Sequence, residues 1–352
     1  MKKILFFFAA LLCSFEVINA QVNFVATLQH GDVVSHYYGQ TAFNQAYTAA
    51  ANGDIITLSP GTFTFSTKNF NKGITLRGAG IDADERTYIS SDVDFYSSDE
   101  NLVTNIEGIW FSGANVNIYN NSDETSHGKI KFIKNGFSGD VRITYTGTAT
   151  PTITGPSIRF YNSIINRSFY LGNAKPDCIV CNSYVRIPYS ALLTSTISGF
   201  VNCVINLADY SYTAKNSYMN FYNCIFNWGD YSYSGLNYNY YLPSTATCYN
   251  CLSINKSTLF NNIVSGTNNK YLNSASQVFK TYRSSYSKGE TFELTDSVKE
   301  KYLGTDGKEI GMHGALSPYT STVQYPVITK FNSASQTTKE GKLDIEIQVD
   351  GK

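Results

Sequence analysis

Between Ile158 and Leu252 a short pattern of apolar and polar positions returns about every twenty residues. Its copies are Phe160-Tyr161-Asn162-Ser163-Ile164-Ile165, Val180-Cys181-Asn182-Ser183-Tyr184-Val185, Phe200-Val201-Asn202-Cys203-Val204-Ile205, Phe221-Tyr222-Asn223-Cys224-Ile225-Phe226 and Cys248-Tyr249-Asn250-Cys251-Leu252-Ser253. The asparagines lie 20, 20, 21 and 27 residues apart. With the asparagine numbered zero, position −2 is Phe160, Val180, Phe200, Phe221 and Cys248. Position +1 is serine or cysteine, and +3 is Ile165, Val185, Ile205, Phe226 and Ser253. Alternate residues of a strand face one side, so −2 shares a side with −4, and +1 with +3. The parity slips by one at the asparagine. A chain that keeps its apolar residues inside across that slip must bend there, and asparagine tolerates the left-handed conformation such a bend needs. The pattern predicts two short strands per repeat, joined at an asparagine corner, with −2, +1 and +3 inward.

A fixed period of this size means stacked repeats. Twenty-odd residues suit one coil of about three short strands, and equivalent strands stack about 4.8 Å apart. A helical period within the repeat is missing, which argues against a βαβ solenoid. The asparagine amides are expected to bond their neighbours above and below in a ladder, a structural role that satisfies buried polar groups. A column of asparagines at a bend, followed by an inward cysteine or serine, resembles the right-handed parallel β-helix of pectin-lyase-like proteins.

The start of the chain agrees. Phe43, Ala46, Tyr47 and Ala50 form one apolar helical face after Thr41, a hydroxyl suited to cap it, and Gly53 stops the helix. Then come Asp54-Ile55-Ile56-Thr57-Leu58, Pro60-Gly61 and Ile74-Thr75-Leu76-Arg77-Gly78-Ala79-Gly80. In the resembled family such a helix plugs the open end of the stack. Phe111-Ser112-Gly113 and Phe137-Ser138-Gly139 repeat at an offset of 26, one coil with a longer loop. After Leu252 the pattern frays, and Asn262 follows Asn250 too closely for another corner. Asp296 to Tyr302 reads as a short helix capped by Thr295, and Gly304 to Gly314 resembles the closing segment of such proteins. Leu343 to Val349 alternates strictly, as a half-covered strand does. The reading is an all-β, single-stranded right-handed parallel β-helix with an N-terminal capping helix and a C-terminal β tail. Its divisions are a leader at 1–20, an arm and capping helix at 21–53, the β-helix at 54–290, a closing segment at 291–325 and a strand tail at 326–352.

Lys2 and Lys3, the apolar run Ile4 to Leu12 and Ile18-Asn19-Ala20 have the form of a signal peptide, so export to the periplasm, outer surface or medium is expected. The apolar run is too short to span a membrane, and a second is missing. Formal net charge is zero, charged residues are 15 % and no basic stripe exists, which argues against a nucleic-acid partner. Aromatics are 14 %, with 27 tyrosines.

Candidate chemistry is sparse. Cys203, Cys224 and Cys251 share one inward position on successive coils, about 4.8 Å apart, which suits small buried hydrophobes better than disulfides. A bridge between Cys178 and Cys181, or one using Cys248, stays open. Zinc at the two Cys-x-x-Cys pairs is disfavoured, because Cys181 and Cys251 face opposite sides; metal ligands are not assigned. The acidic stretch Asp82 to Glu100 leaves calcium as the one candidate cofactor, although it lacks a calcium loop's spacing and a solvated loop face fits it better. Asp209-Tyr210-Ser211-Tyr212 returns 21 residues on as Asp230-Tyr231-Ser232-Tyr233. Neighbouring carboxylates suit a glycosidase, and a nearby tyrosine suits the base of a lyase; the plainer alternative is a turn repeated in two coils. Tyr222 and Tyr249, at the outward position −1, join Tyr210, Tyr212, Tyr231 and Tyr233 as candidate sugar-stacking residues.

The resemblance implies a lyase with acidic calcium ligands and a basic residue on one sheet. Arg159, Arg167 and Arg186 are the nearest basic residues, with Arg167 past its strand. The family's Arg-x-Pro-x-x-Arg stretch is not matched, because Arg186-Ile187-Pro188 is followed by Tyr189, Ser190 and Ala191. The Asn-Thr-Asp, Asp-Asp and His-Gly set of polygalacturonases is not matched either; His313-Gly314 lies in the closing segment. Three functions stay in play: an exported carbohydrate-binding β-helix using its tyrosine-rich face, a polysaccharide lyase or glycoside hydrolase with an atypical site near Asp209 and Asp230, and a structural or adhesive surface protein.

Overall fold

The structure, a computed structural model, describes residues 24–82, 86–97, 102–120, 129–145, 158–171, 178–188, 198–208, 219–227, 242, 244–281, 286–315, 318–321, 327–333 and 345–350. Short strands stack into three long sheets that wind as a parallel β-solenoid. The first sheet has twelve strands, running from the hairpin Val25–His30 and Val33–Tyr38 through Ile55–Leu58 to Ser265–Thr267. The hairpin joins it antiparallel, and every later pairing is parallel. The second sheet has ten strands, from Gly61–Phe63 to Lys270–Leu272, and the third has five, from Asn69–Phe70 to Ser168–Leu171. Val327–Ser333 and Ile345–Asp350 pair antiparallel as a separate two-stranded sheet. None of the described helices is long and apolar enough to cross a membrane.

The register follows the sequence columns. Phe160 pairs with Val180, Val180 with Phe200, Phe200 with Phe221, and Phe221 with Cys248. Positions −2, +1 and +3 of all five copies are buried. Phe132 stacks on Phe160 at 4.8 Å, and Phe111 on Phe137 at 5.1 Å. The capping helix is Ala42–Ala49, with Phe43, Ala46 and Tyr47 buried against Phe65 and Phe70 at the end of the stack. Thr41 precedes it but its side chain makes no cap bond; its hydroxyl instead accepts from Gln45 Nε2 at 3.2 Å.

The corner forms as expected, on a left-handed backbone. Asn162, Asn182, Asn202, Asn223 and Asn250 all have φ between 49° and 56°. In the preceding coils the same place is taken by Gly108 (φ 66°) and Lys134 (φ 55°). Successive coils bond there through the backbone, as when Asn182 N donates to the Val201 carbonyl. The expected amide ladder is not formed: Asn182 and Asn223 turn their amides to another segment, and both polar atoms of Asn202 lack partners. The position selects a left-handed backbone, which an amide does not require. Position +1 carries the ladder instead. Ser163 N donates to Ser183 Oγ in the next coil at 3.0 Å, and the Cys203, Cys224 and Cys251 thiols reach the Val180, Phe200 and Phe221 carbonyls of the coil before at 3.2–3.5 Å.

The fraying after Leu252 hides one more coil. Its corner is Asn268 (φ 57°), between Ser265–Thr267 and Lys270–Leu272. Its inward positions are Gly266 and Asn269, so the apolar signal is lost. Asn269 Oδ1 accepts from Cys251 N and its Nδ2 donates to the Cys248 carbonyl, closing backbone groups of the coil below. A Cβ on Gly266 would lie 2.1 Å from the Cys248 carbonyl oxygen.

The described residues between Ala275 and Tyr319 pack along the outer side of the second sheet and build a second core there. Position +2 is outward yet fully buried: Ile164, Tyr184, Val204, Ile225 and Leu252 lie beneath Phe279, Phe292, Ile310, Met312 and their neighbours. Tyr184 stacks on Phe292 at 4.8 Å. Asn182 Nδ2 donates to the carbonyls of Met312 and Gly314 at 3.0 and 2.8 Å, and Thr305 N donates to Asn223 Oδ1 at 3.0 Å. Within this flank the short helix is Asp296–Lys301, and the Thr295 hydroxyl bonds the Gln277 carbonyl rather than capping it.

Candidate functional site

Asp209, Asp230, Tyr210, Tyr212, Tyr231 and Tyr233 lie outside the described residues. Tyr222 and Tyr249 are described, and both sit on the outer face of the first sheet. In the parallel register they are direct neighbours, stacked at 5.3 Å with planes 9° apart. The Tyr249 hydroxyl shares a hydrogen bond with Ser265 Oγ at 2.9 Å. Strand alternation turns them outward because −2 and −4 are spent on the core.

The column that holds them runs Tyr161, Cys181, Val201, Tyr222, Tyr249. The column beside it runs Arg159, Ile179, Gly199, Asn220, Thr247. Tyr161 and Tyr222 are three strand steps apart, about 14 Å at the usual spacing. Between them the floor is Ile179, Cys181, Gly199 and Val201. A Cβ on Gly199 would meet only Ile179 Cγ1, at 3.8 Å. Tyr222 therefore has one ring face on Tyr249 and the other over a low floor. This is a shallow aromatic-walled notch on an otherwise flat sheet.

The described carboxylates of the acidic stretch, Asp82, Asp92 and Asp94, are each hydrogen-bonded to neighbouring protein groups. Asp92 accepts from Asn115 N, and buried Asp94 accepts from Asn117 Nδ2 at 2.7 Å and pairs with Lys68 at 3.4 Å. Asp82 accepts from the Tyr286 hydroxyl at 2.9 Å, and burial with the nearby Asp82 charge pushes that phenol above its ordinary range. These acids stitch neighbouring coils and dock the flank. A second aromatic pair, missed by the sequence reading, stands on the third sheet: Tyr96 and Tyr119 stack at 5.0 Å. Their spacing of 23 residues in a region without the asparagine corner was the available signal.

All six described cysteines are free, including Cys178, Cys181 and Cys248. Cys178 is buried and Cys181 faces outward from the same strand, so their sulfurs diverge. Burial pushes the Cys224 and Cys248 thiols far up, and pushes Cys181 up to about 12, with Cys203 adding and Arg159 opposing. Thiols held protonated this way are poor nucleophiles and poor metal ligands. Among the described residues no three His, Cys, Asp or Glu side chains converge to hold a metal ion. Arg167 is exposed past its strand and pairs with Asp140 at 3.4 Å. His313 Nε2 lies 2.7 Å from the Thr291 carbonyl, within the flank.

No family model, no curated protein and no solved structure matches this chain. The class defined by the fold is a parallel β-solenoid, consistent with the pectin-lyase-like architecture.

Proposed function

We propose that this is an exported β-solenoid that binds carbohydrate at the periplasmic, outer-surface or extracellular side, through the tyrosine-rich outer face of its first sheet. The observation that carries the reading is the parallel-stacked Tyr222–Tyr249 pair, half-buried, with the free ring face of Tyr222 over the low floor at Gly199 and Val201. A flat aromatic face beside small side chains suits the C–H face of a sugar ring. Tyr210, Tyr212, Tyr231 and Tyr233, which lie outside the described residues, remain candidates for the same ligand on the strength of their repeat in the sequence. Export rests on the leader-like residues 1–20. An immobilised glycan array probed with the mature protein and with Tyr222→Ala tests the reading. Binding to at least one glycan, weakened fivefold or more by the substitution, is expected; an array on which the protein binds nothing refutes it. Catalysis at Asp209 and Asp230 is the alternative, and no observation among the described residues favours it.

A further inference from the structure

The outer face of the third sheet carries a second ladder of side chains. Its register places Tyr96, Tyr119 and Thr144 in one column, and Asp94, Asn117, Arg142 and Tyr170 in the next. Tyr96 and Tyr119 stack at 5.0 Å with planes 15° apart, and Tyr96 is 40 % exposed. One ring face of Tyr119 is thus occupied. The other looks along the ladder to Thr144, whose side chain is too short to cover a ring, and among the described residues no second ring contacts Tyr119.

Fixed polar groups lie beside that open ring. Asn117 Nδ2 donates to Asp94 Oδ1 at 2.7 Å, which aligns the amide and leaves its oxygen as a spare acceptor. Arg142 Nη2 donates to Asp140 Oδ2 at 2.6 Å, and its guanidinium lies over the Tyr170 ring at 5.5 Å. The guanidinium has donors to spare. The charges on this face are compensated: Lys68 pairs with Asp94, and both Arg142 and Arg167 pair with Asp140. Three cations against two carboxylates, each already paired, offer little to a polyanion. A bare aromatic face next to an oriented amide and guanidinium suits a ring with one C–H face and a rim of hydroxyls.

We propose that the outer face of the third sheet is a second saccharide site, selective for neutral sugar rings, with Tyr119 as the stacking platform and Asn117 and Arg142 as hydroxyl partners. It takes its ligand class from the glycan-binding reading but stands on different residues. Two such faces on one rigid solenoid would hold two glycan chains, or two stretches of one chain, with the gain in retention that bivalency gives.

Affinity electrophoresis of the mature protein tests this, in gels containing hydroxyethylcellulose, galactomannan, arabinoxylan or polygalacturonate. Retardation by at least one neutral polymer is expected, unchanged between 50 and 500 mM NaCl as ~neutral recognition requires, and weakened threefold or more in Tyr119→Ala. Thr144→Tyr should weaken it equally by laying a third ring over the open face of Tyr119; this outward substitution extends the ladder and keeps the fold, which a thermal melt checks. Retardation by polygalacturonate alone overturns the proposal, as does full wild-type retardation in both variants. If Tyr222→Ala abolishes retardation while Tyr119→Ala and Thr144→Tyr do not, this second site fails and the first-sheet reading stands. If no polymer retards the protein, both fail together.

Discussion

The outer faces of the second and first sheets are built by the same alternation and end differently. On the second sheet the outward column at +2 is Ile164, Tyr184, Val204, Ile225 and Leu252, and the described residues of the flank between Ala275 and Tyr319 bury all of them. On the first sheet the outward column at −1 is Tyr161, Cys181, Val201, Tyr222 and Tyr249, and these stay half-exposed. Both faces contain tyrosine, so residue type alone does not decide which is covered. What differs is continuity. The +2 column carries an apolar or aromatic residue in all five copies and lies under the flank, although the +4 column beside it holds Arg186, Asn206 and Asn227. The first sheet mixes Arg159, Asn220 and Thr247 among its outward residues. A tyrosine is a packing residue on one face and a candidate contact on the other.

The largest test of this contrast is Tyr184→Ala. Its ring is fully buried, stacked on Phe292, and its hydroxyl accepts from Asn206 Nδ2 at 3.2 Å. Removing a buried ring of this kind costs about 3–5 kcal/mol, read as a shift in the urea midpoint. A loss under about 1 kcal/mol would mean that the flank does not hold the second sheet.

The corner offers a finer test. Asn182 and Asn202 share the same left-handed backbone, at φ 49° and 53°. Only Asn182 bonds the flank, through two carbonyls; the amide of Asn202 is buried without partners. Glycine keeps the backbone and removes the amide. Asn182→Gly should therefore cost about 1–3 kcal/mol, and Asn202→Gly should stay within about 1 kcal/mol of wild type. Equal losses would show that the amides act alike and that the flank contacts are incidental.

Much of this was legible in the chain. The inward columns and the asparagine bend followed from a parity slip in five copies, since burial on one side forces the pattern to show. The amide ladder did not follow, because asparagine was chosen for φ, as Gly108 and Lys134 at the same place reveal. The last coil was invisible because Gly266 and Asn269 replace apolar residues where the stack stops. That the flank covers the second sheet was not read from the chain, although the apolar residues at +2 announced that something lies over them. For the binding face, only Tyr222 and Tyr249 among the six candidate tyrosines fall in the regular part of the coil, where alternation fixes their direction. The other four, though they repeat at 21 residues, lie outside the described residues.

Thiol titration separates the inside of the stack from its outer face. Cys181 faces outward, yet burial among its neighbours holds its pKa up to about 12, whereas an unfolded thiol ionises at about 8.5. The folded chain therefore keeps a proton that the unfolded chain releases. That contribution to stability is whole below about pH 8.5 and is lost as pH rises towards the folded value. The melting temperature should fall across this alkaline range, and Cys181→Ala should make the fall shallower. An unchanged alkaline limb would mean that Cys181 is solvated like an ordinary surface thiol.

The smallest expected effect bears most directly on the contrast between the two faces. Tyr222→Ala removes an aromatic ring as large as that of Tyr184, but from a face that nothing in the described structure covers. Among the described residues its ring stacks on that of Tyr249, and such cross-strand pairs contribute about 0.2–1 kcal/mol. The urea midpoint should therefore move by no more than that amount, while glycan binding drops fivefold or more. A loss of several kcal/mol at Tyr222 would place it among packing residues, as at Tyr184, and would take away the reason to regard the first sheet as the working surface. A small loss together with weakened binding would show that the protein keeps Tyr222 for contact and Tyr184 for cover, with the same strand alternation presenting both.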